Sequence, residues 1–137
     1  MTTNNITAKI IPESQRINVA DKHFGLRFPL TVEPAIFQFA SQLAPAYSGG
    51  YWHFYKLSNG GFFMAPELDG EFQVVADNGF TGILSAQALG ITACLYSYSN
   101  LSFGEGRFGE TCGEHYHWLY AFAMQHSEAG AIRGAID

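Results

Sequence analysis

An aromatic-rich stretch with a tight turn at its centre constrains this chain more than any other feature: residues 49–66, GGYWHFYKLSNGGFFMAP. Strand-favouring residues run from Tyr51 to Leu57, and a return strand covers 62–65. The Asn-Gly pair between them accepts the positive φ angles of a type I′ turn, so the stretch predicts a β-hairpin. We assign turn roles, at the entry to the hairpin or in its loop, to five residues: Gly49, Gly50, Asn59, Gly60 and Gly61.

A further strand extends this predicted hairpin. Leu68-Asp69-Gly70 is typical of a turn, and residues 71–76 follow it as a third strand. Asp77-Asn78-Gly79 then closes the unit. The sequence therefore predicts a three-stranded antiparallel meander over 51–76.

Helical patterns flank the predicted meander. Pro34 suits the first position of a helix over 34–44, where apolar residues recur at helical spacing. Ser85 is a typical N-cap for a helix over 86–101, in which Gly90 indicates a close backbone approach. The other segments are an extended lead-in over 1–12, a short helical turn to Arg16, a Gly-rich loop over 103–113, a helix over 113–125 and a terminal helix over 127–136. A small antiparallel sheet packed with several helices is the α+β class.

The composition favours a folded protein over a disordered one. Of 137 residues, 47% are hydrophobic and 14% are charged, which predicts a single domain over 1–137 with a sizeable core. No apolar run approaches the ~20 residues that span a bilayer. The first residues, MTTNNITAKIIPES, are polar and do not resemble a secretory signal, so we expect a cytoplasmic protein.

The charge disfavours nucleic-acid binding and DNA mimicry, and the cysteine content disfavours a disulfide-bonded protein. The net charge is −5, from 12 acidic and 7 basic residues that are scattered along the chain. Seven scattered cations are a poor footprint for a phosphate backbone, so direct binding of nucleic acid is not expected. The acids form no dense array either, which disfavours mimicry of DNA. Cys94 and Cys112 are the only cysteines, and we expect small buried hydrophobes with no disulfide between them.

Alternation along the first hairpin strand places aromatic rings on both of its faces. Trp52 and Phe54 point to one side, while Tyr51, His53 and Tyr55 point to the other. Most of these rings fit a core, and a minority fit an exposed patch that meets a partner. We take Tyr51, Trp52 and Tyr55 as a candidate interaction surface, because each combines a large apolar body with a polar group.

A histidine-rich segment, CGEHYH over 112–117, raises the question of a metal site. His115 and His117 point about 200° apart on a helix, so they do not converge on one ion there. We therefore expect no metal, no cofactor and no catalytic residue. A small metal-dependent hydrolase or ligand-binding domain that uses His115 and His117 is the alternative hypothesis.

Two long blocks resemble the ArdB/KlcA family of antirestriction proteins: residues 49–66, and NGFTGILSAQALGITACLY over 78–96. KHFGLRF over 22–28 and SEAGAIRGAID over 127–137 are similar as well. The resemblance covers most of the chain, from about Lys22 to Asp137. It does not extend to 102–118, and Ser127 stands where family members tend to have proline.

The resemblance implies a specific activity. Family members are carried by plasmids and other mobile elements, and they relieve type I restriction of incoming unmodified DNA without mimicking DNA. It implies a compact single domain and a protein–protein contact, either with the type I restriction enzyme or with an associated host factor. Asp137 joins the candidate interaction surface because the resemblance extends to it, and an inert chain end is the other interpretation.

Overall fold

Strands and helices alternate in an irregular order through residues 5–137, which are the residues that this computed structural model describes. The first four residues of the predicted lead-in lie outside them. The elements are β1 (Ala8–Ile10), α1 (Arg16–Phe24), α2 (Glu33–Leu43), β2 (Trp52–Leu57), β3 (Phe62–Pro66), β4 (Glu71–Val75), β5 (Thr81–Ser85), α3 (Ala86–Leu101), α4 (Gly106–Ala123) and α5 (Ala129–Ile136). A 3₁₀ turn, Glu13–Gln15, leads into α1, and a π-helical turn, Phe28–Val32, leads into α2.

The α+β class is confirmed, but the strand pairing differs from the predicted meander. β1, β2 and β3 form one antiparallel sheet in that order, and β4 pairs with β5 in a second sheet. β4 does not join β3 because the exposed connection over 67–70 leads the chain away to a separate hairpin. The third place in the first sheet belongs to β1, with Ala8 opposite Leu57.

Both hairpins use the same three-residue loop. Leu57 N–H donates to the Gly61 carbonyl, so the first loop is Ser58-Asn59-Gly60, and Gly60 has a φ of +106°. The predicted type I′ turn is wrong, because Asn59 keeps a negative φ and Gly60 alone takes the left-handed conformation. Asp77-Asn78-Gly79 repeats the pattern between β4 and β5, with Gly79 at +93°.

An asparagine ties each hairpin loop to a helix from the C-terminal part of the chain. The Asn59 side chain accepts from Gly61 N–H at 3.1 Å and donates to the Trp118 carbonyl of α4 at 2.9 Å. Asn78 accepts from Phe80 N–H and donates to the Gly134 carbonyl of α5, both at 2.9 Å. Each asparagine therefore stabilises its loop and fixes the loop against a helix.

The core surrounds α3, which contacts β3, α2, α4 and α5. Eleven of its 16 residues are buried, and Ser85 caps its first turn by accepting from Ala88 N–H at 3.1 Å. Gly90 meets β3: a Cβ there would lie 2.4 Å from Ala65 Cβ and 2.5 Å from the Met64 carbonyl oxygen. The predicted close approach at Gly90 is confirmed.

The helix boundaries agree with prediction for α2, α3 and α5 and differ elsewhere. α1 continues to Phe24, where the sequence predicted only a turn to Arg16. α4 begins at Gly106, so the predicted loop over 103–113 is mostly helix. The glycines that suggested a loop have a packing role in the helix. Gly109 packs directly against the Gly104 carbonyl, where a Cβ would lie 2.0 Å from the oxygen. Cys94 and Cys112 are buried and free, as predicted.

The domain boundaries 1–137 remain a prediction. In the described part of the chain, 5–137, no helix is long and apolar enough to cross a membrane.

Candidate interaction surface

Trp52 lies in the core, although its neighbours on β2 reach the surface. It is 4% exposed, and its indole N–H donates to the Tyr47 hydroxyl at 2.6 Å. Its ring also packs edge-on to Phe37, with centroids 5.2 Å apart. Of the three rings proposed for contact, Trp52 therefore cannot meet a partner unless the core opens.

Tyr51, His53 and Tyr55 form a row on the opposite side of β2, which we call the Tyr51 row. Tyr51 is 44% exposed, and the other two are half-buried. Tyr51 and Tyr55 each pack edge-on to His53, at 5.7 and 6.3 Å. Tyr55 also stacks flat on buried Phe63, with centroids 4.4 Å apart. The core thus holds one side of the row in place and leaves the other side to solvent.

A polar concavity lies beside the Tyr51 row. His53 Nε2 is 2.8 Å from a carboxylate oxygen of Glu67, which is an ion pair when His53 is protonated. Both residues line a cavity of about 400 Å³ together with Leu68 and Gln87. Hydrogen-bonding groups therefore border the aromatic row.

Arg16 links Tyr51 to a second part of the surface. Its guanidinium lies 4.5 Å from the ring centroids of both Tyr51 and Phe54 and donates to the Trp52 carbonyl. It can occupy this edge of β2 because β1 pairs with β2 only from Tyr55 onwards. The Arg16 Nε atom is buried and has no hydrogen-bond partner in the described part of the chain.

Arg16 also borders a groove of about 360 Å³ between α1 and the turn that follows it, which we call the Arg16 groove. Ile17 and Leu26 line it and are exposed, and Phe28 forms part of its buried wall. Glu33 adds a carboxyl whose pKa burial raises, while the charge of Arg16 partly opposes that rise. The groove is therefore mainly apolar with a few charged groups.

The Tyr51 row and the Arg16 groove form one continuous surface, because Arg16 contacts both. Tyrosine and arginine are frequent anchors of protein–protein interfaces, and the exposed aliphatic side chains beside them add apolar contact area.

His115 and His117, on which the alternative hypothesis depends, do not lie together in one site. His115 is 1% exposed, and its ring lies 4.6 Å from Phe24 and 4.8 Å from His23. Burial, aided by His23, lowers the pKa of His115 to about 3. His117 is exposed, and no group of three metal-ligating side chains occurs within residues 5–137. The structure separates the two histidines and does not support a shared metal.

The remaining candidates occupy distinct places. Gly49 and Gly50 have φ angles of +100° and +126°, so the entry to β2 needs glycine. Gly61 packs against Trp118, where a Cβ would lie 2.9 Å from Trp118 Cβ. Asp137 is exposed beyond α5. Burial raises the pKa of Tyr116, and the charges of Tyr120 and Asp137 add to that rise. Asp137 is distant in the chain from the Tyr51 row.

Sequence reasoning missed the Arg16 groove. Its residues come from α1, the π-helical turn and β2, which are separate in the sequence. The one available signal was the apolar spacing of Ala20 and Phe24 on the buried side of α1, which would have extended the helix beyond Arg16.

Comparison with known proteins gives consistent matches. A family model described as Antirestriction protein matches residues 45–137. One Escherichia coli protein named Antirestriction protein KlcA is 44% identical over 138 residues, covering 96% of this chain and 94% of that protein. A second protein of that name from Escherichia coli is 38% identical over 135 residues, covering 96% and 95%.

A solved structure also matches. The structure of the KlcA and ArdB proteins superposes with a TM-score of 0.90 at 38% identity and covers 100% of both chains. Those proteins have a novel fold and show antirestriction activity against type I DNA restriction systems in vivo but not in vitro. The comparisons confirm the resemblance indicated by the sequence blocks.

Proposed function

Because this chain belongs to the antirestriction protein family, we propose that it relieves type I restriction of incoming unmodified DNA by contacting a protein. The observation that carries the proposal is the match, over the full chain, to proteins with antirestriction activity in vivo. The contact takes place in the cytoplasm, and the protein catalyses no reaction.

The activity of the similar proteins supports a contact with a component that is present in the cell and absent from the purified restriction system. KlcA and ArdB act in vivo but not in vitro. An inhibitor that binds the restriction enzyme directly and tightly should act on the purified enzyme as well. We therefore favour an associated host factor as the partner, and direct contact with the type I restriction enzyme is the second possibility.

The charge distribution supports a contact that does not mimic DNA. Duplex DNA carries one negative charge per about 1.7 Å of its axis. This chain has a net charge of −5 over 137 residues, and its 12 acids are accompanied by 7 bases. Such a surface is too weakly charged to replace DNA in a binding cleft.

The Tyr51 row and the Arg16 groove are the contact surface that we propose. Tyr51 and Leu26 are large and exposed, and Arg16 is held between two rings beside them. Removing such side chains from solvent on binding provides apolar contact area, and the entropic cost is lowered because Arg16 is already ordered between the rings of Tyr51 and Phe54. Trp52 packs in the core on the opposite face of β2 and stabilises the strand that carries the Tyr51 row.

Site-specific photo-crosslinking in restricting cells tests the proposal. A benzophenone amino acid replaces Tyr51, and in a matched control it replaces Ile83, which is 58% exposed on β5 and remote in the chain. We expect a defined adduct from position 51 and none from position 83. Both variants must first relieve restriction of unmodified phage.

The identity of the adduct decides between the two partners. A host protein whose depletion abolishes relief supports the host factor, and a subunit of the restriction enzyme supports direct contact. An active protein without any adduct at position 51 contradicts contact at this surface.

A further inference from the structure

A second cavity, on the far side of α3 from β3, combines aromatic rings with a carboxylate. It has a volume of about 340 Å³ and lies where α2, α3, α4 and α5 meet. Four aromatic side chains line it: Phe39, Tyr96, Phe103 and Tyr116. We call it the aromatic cavity. Neither the proposed contact surface nor the sequence blocks explain it.

The rings of the aromatic cavity are held in different ways. Phe39 and Tyr96 stack on each other with centroids 5.4 Å apart, and the Tyr96 hydroxyl donates to the Ala135 carbonyl at 2.5 Å. Tyr116 stacks on Tyr120 at 5.9 Å. Phe103 lines the cavity and is nevertheless 86% exposed, so it stands on the solvent side. Three rings are therefore fixed by the fold, and one is available to a ligand.

The charge at the aromatic cavity is negative. Asp77 lines it, and the carboxylate contributes, after burial, to raising the pKa of Tyr96. Burial raises the pKa of Tyr116 too, with smaller contributions from Tyr120 and Asp137. No lysine or arginine is found among the described residues that line the cavity. One carboxylate, that of Asp77, thus lies in the lining beside aromatic rings, with no cation among the described lining residues.

We propose that the aromatic cavity receives an arginine side chain presented by a protein partner. Aromatic faces attract cations, and arginine stacks on rings more readily than lysine because its guanidinium is planar and weakly hydrated. Asp77 supplies a carboxylate that can accept from the guanidinium N–H groups. An apolar side chain would gain nothing from that carboxylate, so the charge favours a cation.

This inference rests on the proposed function, since it adds a second contact to the same protein partner. The short connection between α3 and α4, residues 102–105, where Phe103 lies, thereby acquires a binding role.

An NMR titration of the purified protein tests the inference without the partner. The probe is N-acetyl-arginine amide, and the matched control is N-acetyl-citrulline amide, which has the same shape without the charge. We expect the arginine probe alone to shift backbone amide signals of residues 77, 96, 103 and 116. Asp77→Asn should weaken its binding about tenfold, which equals about 1.4 kcal/mol.

Two results of the titration would overturn the inference. Equal shifts from the citrulline control would show that charge has no part in binding. Shifts from tetramethylammonium without any from the arginine probe would assign the cavity to a small quaternary cation instead of an arginine.

A phage assay then separates this inference from the proposed function. Asp77→Asn combined with Phe103→Ser should reduce restriction relief about tenfold, while the matched surface variant Ile83→Ser keeps it. Both cavity residues are exposed, so the double variant should fold, and circular dichroism checks that it does. Full activity in the double variant overturns the inference alone. An inactive parent protein contradicts the proposed function. The NMR titration then still shows whether the aromatic cavity binds an arginine side chain.

Discussion

Trp52 and Tyr51 are adjacent residues that we expect to respond differently to truncation. Trp52 is 4% exposed and hydrogen-bonded to Tyr47, whereas Tyr51 is 44% exposed. Trp52→Ala should lower the free energy of unfolding by roughly 3–5 kcal/mol because it leaves a cavity in the core. Tyr51→Ala should cost about 1 kcal/mol or less, chiefly the cation–π contact with Arg16.

Urea denaturation of both variants measures this difference. The restriction assay adds a second readout, because Tyr51→Ala should reduce relief in a protein that remains folded. Equal stability losses at the two positions would contradict the placement of Trp52 in the core.

The buried imidazole of His115 should make the free energy of unfolding depend on pH, and its lowered pKa fixes the direction of that dependence. Its folded pKa of about 3 lies below the ordinary value of 6.5, so the unfolded chain binds more protons between those values. The free energy of unfolding should therefore fall as pH decreases through that window, by up to about 1.4 kcal/mol per pH unit. Above pH 6.5 this contribution is fully present.

The matched variants are His115→Leu and His117→Leu, and the measurement is urea denaturation between about pH 7 and about pH 5. The first variant should lose most of the slope, and the second, at an exposed position, should keep it. His23, whose pKa burial also lowers, remains in both and contributes a smaller slope of the same sign. An unchanged slope in His115→Leu would mean that His115 is not buried in its neutral form.

At the level of elements, α3 and β3 pack so closely that glycine is required between them. Ala has a helix propensity about 1 kcal/mol better than Gly. At Gly90 that gain should be reversed, because a Cβ would meet Ala65 and the Met64 carbonyl within 2.5 Å. Gly90→Ala should destabilise the protein by roughly 1–3 kcal/mol.

Gly113→Ala is the matched control on α4. A Cβ there has its nearest neighbour at 3.9 Å, so alanine should stabilise the helix by about 0.5–1 kcal/mol. Thermal unfolding of the two variants gives the comparison. A stabilised Gly90→Ala protein would show that α3 can move away from β3 at little cost.

The sequence allowed the prediction of those elements whose signals are local. The hairpin of β2 and β3 follows from Asn-Gly between aromatic runs, and α3 follows from the Ser85 cap and its apolar content. β5 was not predicted as a strand, because Gly82 interrupts its short run of strand-favouring residues, and its pairing with β4 was therefore missed as well. The beginning of α4 was missed because its glycines have a low helix propensity. Glycine is nevertheless required at position 109, because the helix packs there directly against the Gly104 carbonyl.

The candidate site was predictable only in part, for a similar reason. Alternation along β2 correctly separates Tyr51 and Tyr55 from Trp52, but it does not reveal which face the helices cover. The Arg16 groove and the aromatic cavity are each assembled from several distant elements. No local pattern brings such residues together before the fold is known.

For the whole molecule, the most direct measurement is the plating efficiency of unmodified phage on a host with a type I restriction system, with and without this protein. A host with only a type II system is the control. We predict that the protein raises plating efficiency on the type I host and leaves it unchanged on the control. Unchanged plating on the type I host, with the protein shown to be folded in those cells, would contradict the proposed function.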